Sequence, residues 1–192
     1  MNHACGVALL VIGLVLSNVV HAHIGVHANG SFESGLLHPF SGIDHLIAMI
    51  AVGLWAARSG ARNLIAMPAA FMAAMVLGAA VGIAGGTIPL AEAGVAASVV
   101  VLGMLLALAV RGSWHWAAPL AAIIGLFHGY AHGTEVPEFA NPGSYIVGFL
   151  MATAALHAFG IAAAWTLRPQ AAAFRAGGAV ITFAGLWLVL SL

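Results

Sequence analysis

Six apolar stretches, each about 20 residues long and parted by short polar breaks, constrain this chain more than any other feature. They lie near 39–57, 64–85, 89–110, 115–134, 143–167 and 174–191, with breaks at 58–63, 85–87, 111–113, 134–142 and 168–173. As an α-helix, each is long enough to cross about 30 Å of hydrocarbon. Composition removes the soluble alternatives. Of 192 residues, 63% are hydrophobic and 5% charged, whereas a soluble domain of this size carries roughly 25% charged residues to cover its surface. A soluble enzyme, a nucleic-acid-binding protein and a disordered tail are excluded. A β-barrel is excluded too, because polar and apolar residues do not alternate. The expected fold is all-α: a polytopic integral membrane bundle of six transmembrane helices in a single domain, residues 23–192.

A shorter apolar run, GVALLVIGLVLSNVV at 6–20, precedes these segments. It is short for a span and ends in Val20-His21-Ala22, a small-x-small cleavage site. Residues 1–22 therefore read as a cleavable signal peptide. Met1 to Cys5 carry no Lys or Arg, so an uncleaved first helix is the competing reading. Either way, His23 lies outside the cytoplasm.

The charges test that topology. The chain has no Lys, and its basic residues are Arg58, Arg62, Arg111, Arg168 and Arg175. With the mature N-terminus periplasmic, every Arg falls on the cytoplasmic side, as the positive-inside rule requires. Glu33, Glu135 and Glu138 fall in outer segments, and Asp44 and Glu92 in the outer parts of their helices. An acidic outer mouth concentrates cations. Six spans invite a search for an inverted repeat. Gly42-Ile-Asp-His45 and Gly125-Leu-Phe-His128 are locally alike, but both lie toward the outer face, where inversion would put them at opposite depths.

Against so few charges stand ten His. His38-Pro-Phe-Ser-Gly-Ile-Asp-His45 opens the first mature span. An ionised Asp inside a membrane costs several kcal/mol unless partnered, and an adjacent His is a natural partner. On a regular helix, His38 and His45 would stand about 10.5 Å apart along the axis, too far for one ion. Pro39 and Gly42 allow a turn that folds His38 back. Ser41-x-x-Asp44 also fits a capping box, which would explain Asp44 alone. The second cluster is Phe127-His-Gly-Tyr-Ala-His-Gly-Thr-Glu135. Four residues apart, His128 and His132 share a helix face at the spacing that grips one metal ion, and Glu135 follows on a neighbouring part of that face. Two hydrogen-bonded core histidines are the bland alternative. Gly125, Gly129 and Gly133 form a small-residue stripe that admits a close neighbouring helix.

The expected metal ligands are thus His38, Asp44, His45, His128, His132 and Glu135. His23, His27, Glu92 and His157 are further candidates along a metal path, each with an equally ordinary reading as a tail, interfacial or core residue. His115, between Trp114 and Trp116, reads as part of an aromatic belt, and Met49 as packing. One Cys rules out a disulfide framework and a thiolate-rich site. Imidazole and carboxylate without thiolate suit Ni²⁺, Co²⁺, Zn²⁺ or Cu²⁺ better than Cu⁺, Mg²⁺ or Ca²⁺.

At these residues the chain closely resembles the HupE/UreJ membrane proteins, nickel and in some cases cobalt permeases associated with hydrogenase and urease maturation. The resemblance rests on His23-Ile-Gly-Val-His27, on His38-Pro-Phe-Ser-Gly-Ile-Asp-His45 with Leu46-Ile-Ala-Met49 following, and on Phe127 to Glu135. With the signal peptide and six spans, it covers the whole chain. The larger nickel/cobalt transporter family has a His-x4-Asp-His helix, to which His38-x5-Asp44-His45 is a looser likeness. The resemblance implies Ni²⁺ uptake, with Co²⁺ or Zn²⁺ as alternative cargo, through the inner membrane of a bacterium and without enzymatic activity. With no Lys there is no P-loop, so the chain does not hydrolyse ATP for itself. Its partners would be the ion and the lipid bilayer, with no nucleic acid, and a homo-oligomer is left open. The competing classes are a membrane-bound metalloenzyme and a metal-binding accessory protein using the same cluster.

The topology predicts that single Cys replacements of Glu138 and Arg62, in a Cys-free background, label from opposite sides of the membrane. Labelling of both from the periplasm would overturn the six-span arrangement.

Overall fold

The computed structural model describes residues 31–138, 140–167 and 170–192. The expected leader, His23, His27 and Arg168 lie outside the described residues. Among the described residues there are only helices: α1 (Ser31–Leu37), a 3-10 turn (His38–Phe40), α2 (Ile43–Arg58), α3 (Asn63–Ile83), α4 (Ala91–Ala107), α5 (Trp114–Thr134), α6 (Pro142–Thr166) and α7 (Ala171–Leu190).

The six long helices fall on the six apolar segments, and the shifts at their ends have local causes. The first starts at Ile43 because Pro39 sits in the 3-10 turn and Gly42 is extended, with φ −109° and ψ 119°. The chain from Ser31 to Phe40 therefore meets α2 at a bend of 79°. At the far end of α3, Gly85 takes the left-handed φ of 72°. Gly86 N–H then donates to Val81 O at 2.9 Å and Gly85 N–H to Gly82 O at 3.0 Å, the Schellman closure a glycine permits. α4 stops early by the same device without a glycine. Ala109 has φ 55°, and Val110 N–H donates to Leu105 O at 2.9 Å.

By length and apolarity, α3, α6 and α7 can each cross a membrane, and α1 with α2 passes jointly as a broken span. At 17 residues, α4 is a shorter apolar helix. The outward faces carry exposed Ile65, Leu77, Phe159, Phe183 and Trp187, side chains that hydrocarbon rather than water covers. This is a helical membrane protein.

Glycines set the packing. On α5, a Cβ at Gly125, Gly129 or Gly133 would run into the backbone carbonyls of Phe71, Met75 and Ala79 on α3. In return, Gly78 and Gly82 of α3 press on the backbone of Leu126, Tyr130 and Thr134. The two helices run parallel in backbone contact. In the same way Gly53 of α2 meets His157 O and Gly160 of α6 meets Ile50 O, while Gly103, Gly178 and Gly185 join α4 to α7. The principal pairings of the long helices are thus α2 with α6, α3 with α5, and α4 with α7. Exchanging α2–α4 with α5–α7 leaves that pattern unchanged, a symmetry the local sequence likeness did not reveal.

The two ends of the bundle differ in charge. At one end, Trp55 Nε1–H donates to Val110 O at 3.1 Å, Asn63 Nδ2–H to Gly112 O at 2.9 Å, and Gly112 N–H to Ser59 Oγ at 3.0 Å. There Arg58 lies 4.6 Å over the Phe174 ring and Arg62 4.3 Å over Trp114. Arg111 and Arg175 adjoin these residues in sequence. His115 is here too, its ring 4.0 Å from that of Trp114, in the aromatic setting its sequence neighbours suggested. Asp44, Glu92 and Glu135 belong to the other end.

Because the α3–α5 contact is backbone on backbone, no rotamer change relieves a side chain there. Gly129→Val is expected to destabilise the protein by about 1–3 kcal/mol or more, read as a lower thermal midpoint in detergent. Gly177→Ala, where a Cβ meets nothing within 4 Å, should leave the midpoint unchanged or raise it.

A candidate metal centre at the acidic end

The 79° bend before α2 turns His38 away from the α2 axis and over the C-terminal end of α5. There His38 Nε2 and Glu135 Oε2 lie 2.8 Å apart, and the His38 and His132 rings have centroids 4.7 Å apart. Ser41 holds the bend: its Oγ–H donates to His38 O at 2.6 Å and its N–H to the same oxygen at 3.0 Å. One nitrogen each from His38 and His132 and one oxygen from Glu135 all lie within 4.8 Å of one another. Neighbouring ligand atoms around an ion at about 2.1 Å stand roughly 3 to 3.5 Å apart, so these three donors would close in by side-chain movement to share one ion.

The rings continue inward. His45, on the first turn of α2, lies 4.2 Å from His132 and 4.7 Å from His128. His128 and His132 are buried, at 0% and 1% exposure, as the i, i+4 spacing on an inward face requires. Past His128 comes Phe71, whose ring lies 5.8 Å from that of His128 and 5.0 Å from that of His157. A cavity of about 390 Å³, lined by His38, Ser41, Gly42, Asp44, His45, His132 and Glu135, opens the column to the outside. A second cavity of about 530 Å³ shares Glu135 and includes Glu92.

The Ser41–Asp44 capping box does not form, although Asp44 does satisfy one N–H of the first turn of α2. The N-cap of α2 is Gly42, without a side-chain hydrogen bond, and Ser41 Oγ is engaged with His38. Asp44 Oδ1 instead accepts from the backbone N–H of His45 at 2.8 Å and from its ring Nδ1–H at 2.7 Å. Asp44 therefore meets the cluster through His45, in the way a carboxylate orients a metal-binding imidazole. The bond to Nδ1 leaves His45 Nε2 with the lone pair. That nitrogen, His128 Nδ1 and both ring nitrogens of His132 are buried without a hydrogen-bond partner, as are both of His157. Leaving such a group unsatisfied costs about 1–3 kcal/mol, and in each neutral ring one nitrogen has a lone pair that a divalent cation can take.

All six residues expected as ligands thus gather at one end of the bundle. Their grouping differs from a single six-ligand site: Glu135 is among the three that converge most tightly, whereas Asp44 serves His45. Glu92 lines the neighbouring cavity, and His157 lies deeper, beyond Phe71. Met49 is fully buried, its sulfur 3.4 Å from Thr153 Oγ1, a packing role. Two residues outside the expected set complete the geometry. Gly42 leaves room for the Asp44–His45 pair, since a Cβ there would stand 2.7 Å from Asp44 Oδ1 and 3.0 Å from His45 Nδ1. Ser98 of α4 contacts His128 Nε2 at 2.9 Å. No motif surrounds Ser98 in the sequence.

Fold and site together define a helical membrane protein with a histidine–carboxylate cluster at the mouth of the bundle. The sequence profile of the family described as HupE / UreJ protein matches residues 9–188. The chain is also 42% identical over 171 residues to Protein HupE of Rhizobium leguminosarum bv. viciae, covering 87% of this chain and 88% of that one. It belongs to the HupE/UreJ family. No solved structure matches it.

Gly42→Ala is expected to leave the bundle folded, because the atoms it meets are side-chain ends, and to part Asp44 from His45. Loss of such an orienting contact typically costs 10- to 100-fold in metal affinity, so Ni²⁺ binding in detergent should weaken by about tenfold or more.

Proposed function

We propose that this protein is a permease for divalent nickel, taking the ion up across the inner membrane of a bacterium to supply hydrogenase or urease maturation. The observation that carries the reading is the convergence of His38, His132 and Glu135 within 4.8 Å, at the outer end of a buried column of imidazoles. In this reading, α2 to α7 are six membrane spans in one domain after a cleaved leader at 1–22. The acidic end faces the periplasm and the arginine end the cytoplasm. That polarity draws cations to the mouth and satisfies the positive-inside rule.

The donor set supports a borderline divalent ion. Two imidazoles and a carboxylate, without thiolate, bind Ni²⁺ and Co²⁺ well and Mg²⁺ or Ca²⁺ poorly. His38, His132 and Glu135 take the ion first. His45, oriented by Asp44, and His128 receive it next, and His157 is a station further in. Glu92 adds negative charge beside Glu135, and the His23–His27 segment captures metal ahead of the mouth. Co²⁺ or Zn²⁺ are alternative cargo for the same donors. The ion is substrate, and nothing in the cluster needs it to stay. A resident ion activating water would make the protein a metalloenzyme, and bound metal without flux would make it an accessory protein.

Uptake of labelled Ni²⁺ into proteoliposomes tests the reading. The intact protein should accumulate the ion. His132→Ala should lower initial uptake at limiting metal by at least about tenfold with insertion and folding intact, and no accumulation by the intact protein would reject the proposal. The pH dependence supplies a second readout. Imidazole binds metal only when neutral and titrates near 6.5 in water. Protons therefore displace metal as pH falls, and equilibrium Ni²⁺ binding in detergent should weaken on acidification. Binding that never weakens on acidification while the protein stays folded would point away from imidazole ligands.

A further inference from the structure

The geometry points to Ser98 as a positioning residue: its hydroxyl holds the buried His128 ring as the Nε2–H tautomer, leaving Nδ1 bare for a divalent metal ion. The consequence for metal binding rests on the permease reading, but the hydrogen-bond arrangement does not.

Ser98 lies on the inner face of α4 and is 5% exposed. Its Oγ is 2.6 Å from Val95 O and 2.9 Å from His128 Nε2. A hydroxyl has one proton to donate and two lone pairs with which to accept. The carbonyl of Val95 can only accept, so the shorter contact takes the hydroxyl proton. Ser98 Oγ is then an acceptor toward His128, and Nε2 must carry the N–H. A neutral imidazole has a single N–H, so Nδ1 holds a free lone pair. His128 Nδ1 is buried without a partner, in a ring fully shielded from solvent.

The neighbouring ring is oriented by the same logic. Asp44 accepts from His45 Nδ1–H, and His45 Nε2 is left bare and buried. The His45 and His128 rings stand 4.7 Å apart. Two touching imidazoles on two helices thus each have one nitrogen occupied by a partner, a carboxylate in one case and a hydroxyl in the other, and one nitrogen free. Metal-binding imidazoles in general rely on such a bond at the other ring nitrogen. A serine that merely satisfied itself against the preceding turn of its helix would need no imidazole nitrogen at hydrogen-bond distance.

The test uses the full chain in detergent with ring-¹⁵N histidine. The His128 signals are assigned by their loss in His128→Gln, and no metal is added. A bare ring nitrogen resonates far downfield of an N–H nitrogen, so the spectrum reads the tautomer directly. Intact protein should show His128 with Nε2–H and bare Nδ1. Ser98→Ala, a small change that suits a helix, should give a mixture or the opposite tautomer, and Ser98→Thr, which keeps the hydroxyl, should restore the original. Added Ni²⁺ should bind Ser98→Ala about 10-fold more weakly than intact protein and Ser98→Thr nearly normally. An Nδ1–H tautomer in intact protein overturns the inference, and so does an Nε2–H tautomer that persists in Ser98→Ala. If the tautomers respond as expected but intact protein binds no Ni²⁺, the hydrogen-bond role of Ser98 stands and the metal reading fails.

Discussion

Backbone-to-backbone contact between helices is the constraint on which this structure depends. Hydrocarbon is as apolar as a leucine side chain, so burial alone does not drive membrane helices together. Close approach through small residues supplies dispersion contact instead. Gly125, Gly129 and Gly133 seat α5 on the carbonyls of α3, and Gly53 and Gly160 do the same for α2 and α6. These two pairs carry every buried histidine of the column: His45 on α2, His128 and His132 on α5, and His157 on α6. A side chain at any of those glycines would move the rings apart along with the helices. The GxxxGxxxG stripe beside His128 and His132 is therefore as much a part of the site as the histidines are.

Inside that frame the polar groups are few, and most are oriented by a named partner. Glu135 contacts His38, Asp44 contacts His45 and Ser98 contacts His128. What remains are ring nitrogens without a hydrogen-bond partner, buried in an apolar bundle. Burying a polar group without a partner is costly, and membrane interiors keep such groups where they have work to do. The column runs from a cavity-lining mouth, where His38 and Glu135 stay partly exposed, to fully enclosed rings at His128 and His157.

The charge distribution is equally economical. Arg58 and Arg62 rest on aromatic rings at one end, where hydrogen bonds among Trp55, Asn63, Ser59, Val110 and Gly112 tie α2, α3, α4 and α5 together. The carboxylates Asp44, Glu92 and Glu135 belong to the opposite end. A net charge of zero thus conceals a strong dipole along the bundle.

The sequence by itself determined the fold class, because 63% hydrophobic and 5% charged residues leave a bilayer as the only solvent that suits them. It determined the helices, since apolar length and Gly or Pro breaks act locally, and it brought His128 next to His132, since four residues make one helical turn. The glycine stripe announced a close neighbour but not which one. Tertiary structure alone decided that the neighbour is α3 and that the bend at Pro39–Gly42 carries His38 to His132 and Glu135. These are contacts between residues far apart in the chain, or choices among partners each of which local geometry allows. Ser98 marks the limit most clearly. In sequence it is one small polar residue among alanines and valines, and it gains meaning only because the packing of α4 against α5 sets its hydroxyl against a histidine nitrogen 30 residues away.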